Sequence, residues 1–130
     1  MPTRQNVNDS LEVTSSVKPQ STATAAVNGA SRDTRNDPHG ARYLAIGSVG
    51  NWTDGSLLFG IEDSADDSSF AALTPFDGAF TAIAADDVVQ VVSFVPVTGR
   101  PFVRVVTSEA TAIGTALPFE GLIVMVPPNA

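Results

Sequence analysis

The sequence predicts an all-β chain, an antiparallel β-sandwich or small jelly-roll-like barrel with a flexible N-terminal arm. Roughly seven apolar or β-branched runs alternate with Gly, Pro, Asn and Asp turns, the spacing of sandwiches and small barrels. No stretch shows the helical period of an amphipathic helix. The longest apolar segment, VVQVVSFVPVTGRPFVRVVT at 88–107, divides about Pro96, Thr98, Gly99 and Pro101 into two Val- and Phe-rich halves. β-branched and aromatic residues suit a pleated surface, and Gly with Pro punctuates such runs, so the segment reads as an antiparallel hairpin. Val88–Val95 is largely apolar on both faces and is expected to be a central strand covered by a second sheet.

The chain has 130 residues, 43% hydrophobic and 16% charged. That suffices for one domain with a real core, placed at 23–130. Residues 1–22 are rich in Asn, Gln, Ser, Thr, Asp and Pro, with isolated Val7, Leu11, Val13 and Val17. So little apolar surface does not offset the entropy of ordering, and 1–22 reads as a disordered tail. In the sharper reading it is an arm whose four aliphatics act as pegs on a partner. Either way, removal of residues 1–20 is expected to leave the domain folded.

Ala23–Val27 is a first expected strand, ended by Asn28-Gly29. SRDTRNDPHG at 31–40 is a polar loop around Asp37-Pro38. Its mixed charges read first as a solvated surface, with Arg32 and Arg35 as the candidates if it meets a partner. Arg42–Val49 is the second strand. NWTDG at 51–55 turns the chain into Ser56–Glu62, where Leu57, Phe59 and Ile61 alternate with Leu58, Gly60 and Glu62, and the two strands read as a second hairpin. DSADDSS is an acidic turn, and Phe70–Leu73 is a short strand before Pro75. Ala79–Ala85 is open between a helical turn and a loop or short strand, with Thr81 and the flanking Asp-Gly favouring the latter. Gly121–Val126 is the last strand, stopped by Pro127-Pro128.

Chemistry is sparse. Seven basic against fourteen acidic residues give a net charge of −7, which argues against nucleic acid as a partner, since a phosphate surface needs clustered Lys and Arg. There are no cysteines, hence no disulfides, thiolate sites or cysteine nucleophile. The N-terminus lacks the apolar core of a signal peptide, and no apolar run approaches a membrane span, so a soluble product made in the cytoplasm is expected. His39 is the only histidine and reads as an exposed loop residue, lacking partners for zinc or a catalytic triad. The acids at 62–67 lack the ordered alternation of a helix–loop–helix calcium site, and a solvated turn is the simpler reading. No Gly-x-Ser-x-Gly elbow, phosphate-cradling loop or H-E-x-x-H occurs. No catalytic residue, metal ligand or cofactor is therefore assigned. Trp52 and Tyr43 could stack a sugar, though Trp52 reads more simply as a turn residue folding over its own strands.

Three short patterns carry a resemblance: Gly55–Phe59 (GSLLF), Asp66–Phe70 (DDSSF) and Gly99–Val105 (GRPFVRV). In this order, over about residues 22–128, they are similar to small proteins encoded among the head genes of tailed bacteriophages and prophages. The resemblance implies a non-enzymatic virion protein that decorates or cements the capsid shell. It implies the major capsid protein as partner, a homo-oligomer on the capsid surface, synthesis in the host cytoplasm, and no role for nucleic acid or membrane. Val7, Leu11, Val13, Val17, Arg32, Arg35 and Trp52 are the candidate contacts. The alternative is a carbohydrate- or host-surface-binding module of a phage fibre.

Overall fold

The computed structural model describes residues 11–22 and 26–128. The strands are β1 (Glu12–Thr22), β2 (Arg32–Asp33), β3 (Arg42–Val49), β4 (Ser56–Ser64), β5 (Phe70–Ala72), β6 (Val88–Phe94), β7 (Phe102–Thr111) and β8 (Leu117–Val126). They form two antiparallel four-stranded sheets: sheet one in the order β1-β8-β3-β6, sheet two in the order β2-β7-β4-β5. β1 pairs with β8, β2 with β7, β3 with β6 and β4 with β5. The chain is thus one long antiparallel ribbon, folded at the acidic turn and rolled so that its strands alternate between sheets. That is the jelly-roll arrangement of a β-sandwich.

This topology corrects both expected hairpins. β3 and β4 lie in different sheets, so NWTDG is a crossing, not a hairpin turn. β6 and β7 are likewise separated, and Gly99, at φ +84°, serves the corner between them. Thr34 N–H bonds Pro101 O at 3.0 Å, which ties that corner to the 31–40 loop. β6 is an edge strand, not a central one, and its outward residues Val89 and Val91 remain 63% and 51% exposed.

The arm reading also needs correcting where it can be seen. Residues 12–22 pair with β8 from Glu12↔Met125 to Thr22↔Leu117, and Val17 is 1% exposed. Ser16 explains the attachment: its hydroxyl donates to Ala30 O at 2.7 Å and accepts from Val105 N at 2.8 Å. A Cβ on Gly29 would sit 2.4 Å from Val105 O and 2.5 Å from Ser16 Oγ, so only glycine allows this approach. The chemistry that holds β1 is non-local, which is why its polar composition misleads. Val7 lies outside the described residues. In the expected first strand, residues 23–25 are also outside them, while Ala26 and Val27 are not strand. Val27 exchanges backbone bonds with Thr107 instead.

The core lies between the sheets and contains Leu57, Phe59 and Ile61 of β4, Ala45 and Val49 of β3, Val92 and Phe94 of β6, Val103 and Val105 of β7, and Phe119, Ile123 and Met125 of β8. Gly47 and Gly121 face each other across β3 and β8. A Cβ on Gly47 would meet the Phe59 ring at 2.4 Å, and one on Gly121 would meet Val105 Cγ1 at 2.7 Å. The paired glycines thus make room for sheet two to close on sheet one. The open side is laced by segment 76–83: Asp77 bonds Ser93 of β6, and Ile83 exchanges bonds with Leu57 of β4.

Candidate interaction surface

The expected contact residues do not converge. Leu11 and Val13 are exposed at the start of β1, but Val17 is core. Arg32 is structural. Its guanidinium donates to Asp37 at 2.6 Å, Glu12 at 2.9 Å and Thr14 Oγ1 at 3.0 Å. Tyr43 Oη donates to the same Asp37 at 2.7 Å. Arg32 therefore laces β2 to β1. Burial opposes its charge, but Asp37 and Glu12 outweigh that and raise its pKa. Burial, then the hydrogen bond to Asp37, raise the pKa of the Tyr43 hydroxyl. Arg35 is largely exposed. It pairs with Asp33 at 2.6 Å and lies over Phe102, 5.0 Å from the ring centre.

Trp52, 38% exposed, sits in the β3–β4 crossing. Its indole donates to Gly55 O at 2.9 Å, and its backbone N–H donates to Asp86 at 2.7 Å. Tyr43 is buried against Phe94 at the other end of β3. A Trp52–Tyr43 sugar platform is therefore not formed.

The acidic turn is self-satisfied. Glu62 pairs with Arg104 at 2.6 Å, and buried Asp63 pairs with Arg100 at 2.7 Å. Asp66 accepts from Ser68 N, Ser69 N and Ser64 Oγ. Among the described residues no group of three or more His, Cys, Asp or Glu could hold a metal ion. His39 is exposed in its loop.

Two apolar features remain unmatched by internal chemistry. At one end of the sandwich Phe76, Val95 and Val97 are 77%, 59% and 46% exposed. They share the wall of a hollow of about 490 Å³ with Leu73 and Arg100. β1 begins at this end, since Glu12 pairs with Met125, which pairs with Tyr43 at the start of β3.

The second feature is the outer face of sheet one. Its register places Val13, Val124, Leu44 and Ser93 in one row across the strands, and Ser15, Leu122, Ile46 and Val91 in the next. Glu120, Ser48 and Val89 follow beyond. Of the side chains that β3, β6 and β8 turn outward, only Arg42 and Glu120 are charged, and they stand at opposite ends. Neither makes an ion pair among the described residues. The signal in the sequence is the near-continuous apolarity of VVQVV and GLIVMV, which fits an uncovered apolar face as well as a doubly buried strand.

No family model matches the chain, and no curated relative matches. Among solved structures the chain is similar to one titled "Structure of infectious bursal disease virus Gx strain", at 13% identity and a TM-score of 0.43. The likeness covers 92% of this chain and 33% of the other, so this chain spans about a third of that one.

Proposed function

We propose that this chain is a non-enzymatic structural protein of a virion that decorates or cements a phage capsid shell, with the major capsid protein as its partner. The observation that carries the reading is the exposed apolar end formed by Phe76, Val95 and Val97. Clustered apolar exposure on a domain of this size marks an interaction surface, and hydrophobic anchors around a hollow suit a protein partner. The fold alone does not choose among functions, because jelly rolls serve as capsid proteins, lectins and metal-binding cupins. A cupin-type site needs several inward histidines, and this chain has one, in an exposed loop. A lectin platform would rest on Trp52 alone. The sequence patterns at 55–59, 66–70 and 99–105 add the phage-head direction. Many copies on a symmetric shell would let modest single contacts sum to firm attachment.

Co-sedimentation with expanded capsid shells tests this. Removal of residues 1–20 strips most of β1, so the informative changes are at the exposed end. Phe76→Ser with Val97→Ser is expected to lower shell binding about tenfold or more while the thermal transition stays in place. Unchanged binding by that variant rejects the reading, as does glycan-array binding that disappears in Trp52→Ala.

A further inference from the structure

We propose that the outer face of sheet one is a self-association surface, on which two copies stack face to face with their strands antiparallel. Three observations converge on a second copy as the occupant.

The first is that the edges of this sheet are closed to strand addition. β1 is interrupted by two shifts of register and carries Pro19, and both features obstruct edge pairing. β6 has Ser93 bonded by Asp77, and Gln90 exchanges side-chain bonds with Thr81. Association through this sheet therefore uses its face. The second is extent. Four strands about 4.8 Å apart and eight residues long present roughly 500 Å². Two such faces bury about 1,000 Å², the lower bound for a specific interface. Residues 1–10 hold only Met1, Pro2 and Val7 as apolar residues, too few to cover that area.

The third observation is charge. A chain of net charge −7 repels its own copies except where a surface is neutral and self-complementary. This face is both. Arg42 and Glu120 lie at opposite ends, Arg42 beside Val126 and Glu120 beside Ser48. A two-fold axis in the plane of the interface, across the strands, puts Arg42 of one copy over the Ser48–Glu120 end of the other. The alternative axis, along the strands, opposes like ends and leaves both charges unmatched. Opposite charges at the rim thus select the antiparallel stack, while Leu44, Ile46 and Val91 supply its centre.

Sedimentation equilibrium of the full chain without capsid, from micromolar to millimolar concentration, decides the matter apart from any capsid role. A reversible dimer with a dissociation constant on the order of 10 μM is expected. Val91→Lys, at an exposed position, is expected to weaken it at least about 100-fold with an unchanged thermal transition, and Val89→Lys serves as the second variant. Arg42→Glu or Glu120→Arg alone should weaken it about tenfold, and the two together should restore it. A chain that stays monomeric, a dimer indifferent to Val91→Lys and Val89→Lys, or a failed rescue by the double reversal would each overturn the proposal. It is equally overturned if the parent is monomeric and Val91→Lys instead abolishes binding to capsid shells.

Discussion

On sheet two the charged and aromatic outward-facing side chains are matched to one another. Arg104 pairs with Glu62 and lies 3.8 Å from the centre of the Phe70 ring, and Arg35 covers Phe102 while pairing with Asp33. The corresponding positions on sheet one hold Leu44, Ile46, Leu122, Val89 and Val91, and among the described residues no guanidinium lies over a ring there. Both sheets bury the same core, so the difference lies only on the outside. A guanidinium over a ring hides apolar area and keeps its charge in water. Sheet two is therefore finished as a solvent surface, whereas sheet one has the composition of an interface. The contrast teaches that stability and recognition are divided between the sheets: sheet two's polar pairs hold the monomer, and sheet one's apolar rows contribute little until something covers them.

The largest effect on the monomer is expected where the polar chemistry joins the two sheets. Arg32→Ala removes the cation shared by Asp37, Glu12 and Thr14, leaving Asp37 with only the Tyr43 hydroxyl in a mostly buried setting. Breaking such a pair leaves an uncompensated charge, and with Glu12 more than half exposed the loss should be about 2 kcal/mol. Chemical denaturation provides the measurement. A loss under about 0.5 kcal/mol, the scale of an ordinary surface change, would show that Arg32 is not what laces β2 to β1.

A paired comparison across the two faces comes next in size. Arg104→Ala should cost about 1 kcal/mol through the lost Glu62 pair and the uncovered Phe70 ring. Val91→Thr at the same level of the other face should change monomer stability by less than about 0.5 kcal/mol. Measured at concentrations low enough to keep the chain monomeric, equal losses in the two variants would erase the distinction between the faces.

Strand positions were legible because burial follows period two, as in Leu57, Phe59 and Ile61. Strand partners were not. A turn sequence reports that the chain reverses, and NWTDG and VPVTGRP do so without reporting whether it returns to the same sheet. β1 carries no strand signal in its sequence because an edge strand need bury little, and only Ser16 and Val17 of its described side chains are buried. Its support comes from β8 and from the bond that its Ser16 hydroxyl accepts from Val105 N, both more than eighty residues along the chain. Arg104 is a partly exposed ion-pair member, and its carboxylate partner, Glu62, follows from the β4–β7 register, which no local pattern of residues reports. The outer face of sheet one was visible as composition, in residues apolar on both sides of a strand. Only the topology tells that no described strand covers the second side.

The smallest effect expected is the response to acid, and it divides the molecule along the same line. The backbone N–H of Ser69, then the Ser64 hydroxyl and the backbone N–H of Ser68, lower the pKa of Asp66 below its ordinary 3.8. Asp33 is lowered as well, by the Arg35 side chain and then the Arg35 backbone N–H. A depressed carboxylate stabilises the folded state in full above the unfolded pKa, and that contribution disappears as pH falls through the folded pKa. Below pH 3.8, then, the β4–β5 turn and the 33–35 corner should loosen first, while the rows of Leu44, Ile46 and Val91 have nothing to titrate. Carboxyl chemical shifts followed by NMR give the Asp66 midpoint, and amide exchange at Ser68 and Ser69 compared with β3 gives the local opening. A midpoint for Asp66 at or above 3.8, or β3 opening before the turn, would place the acid-sensitive contacts somewhere other than the rim of sheet two.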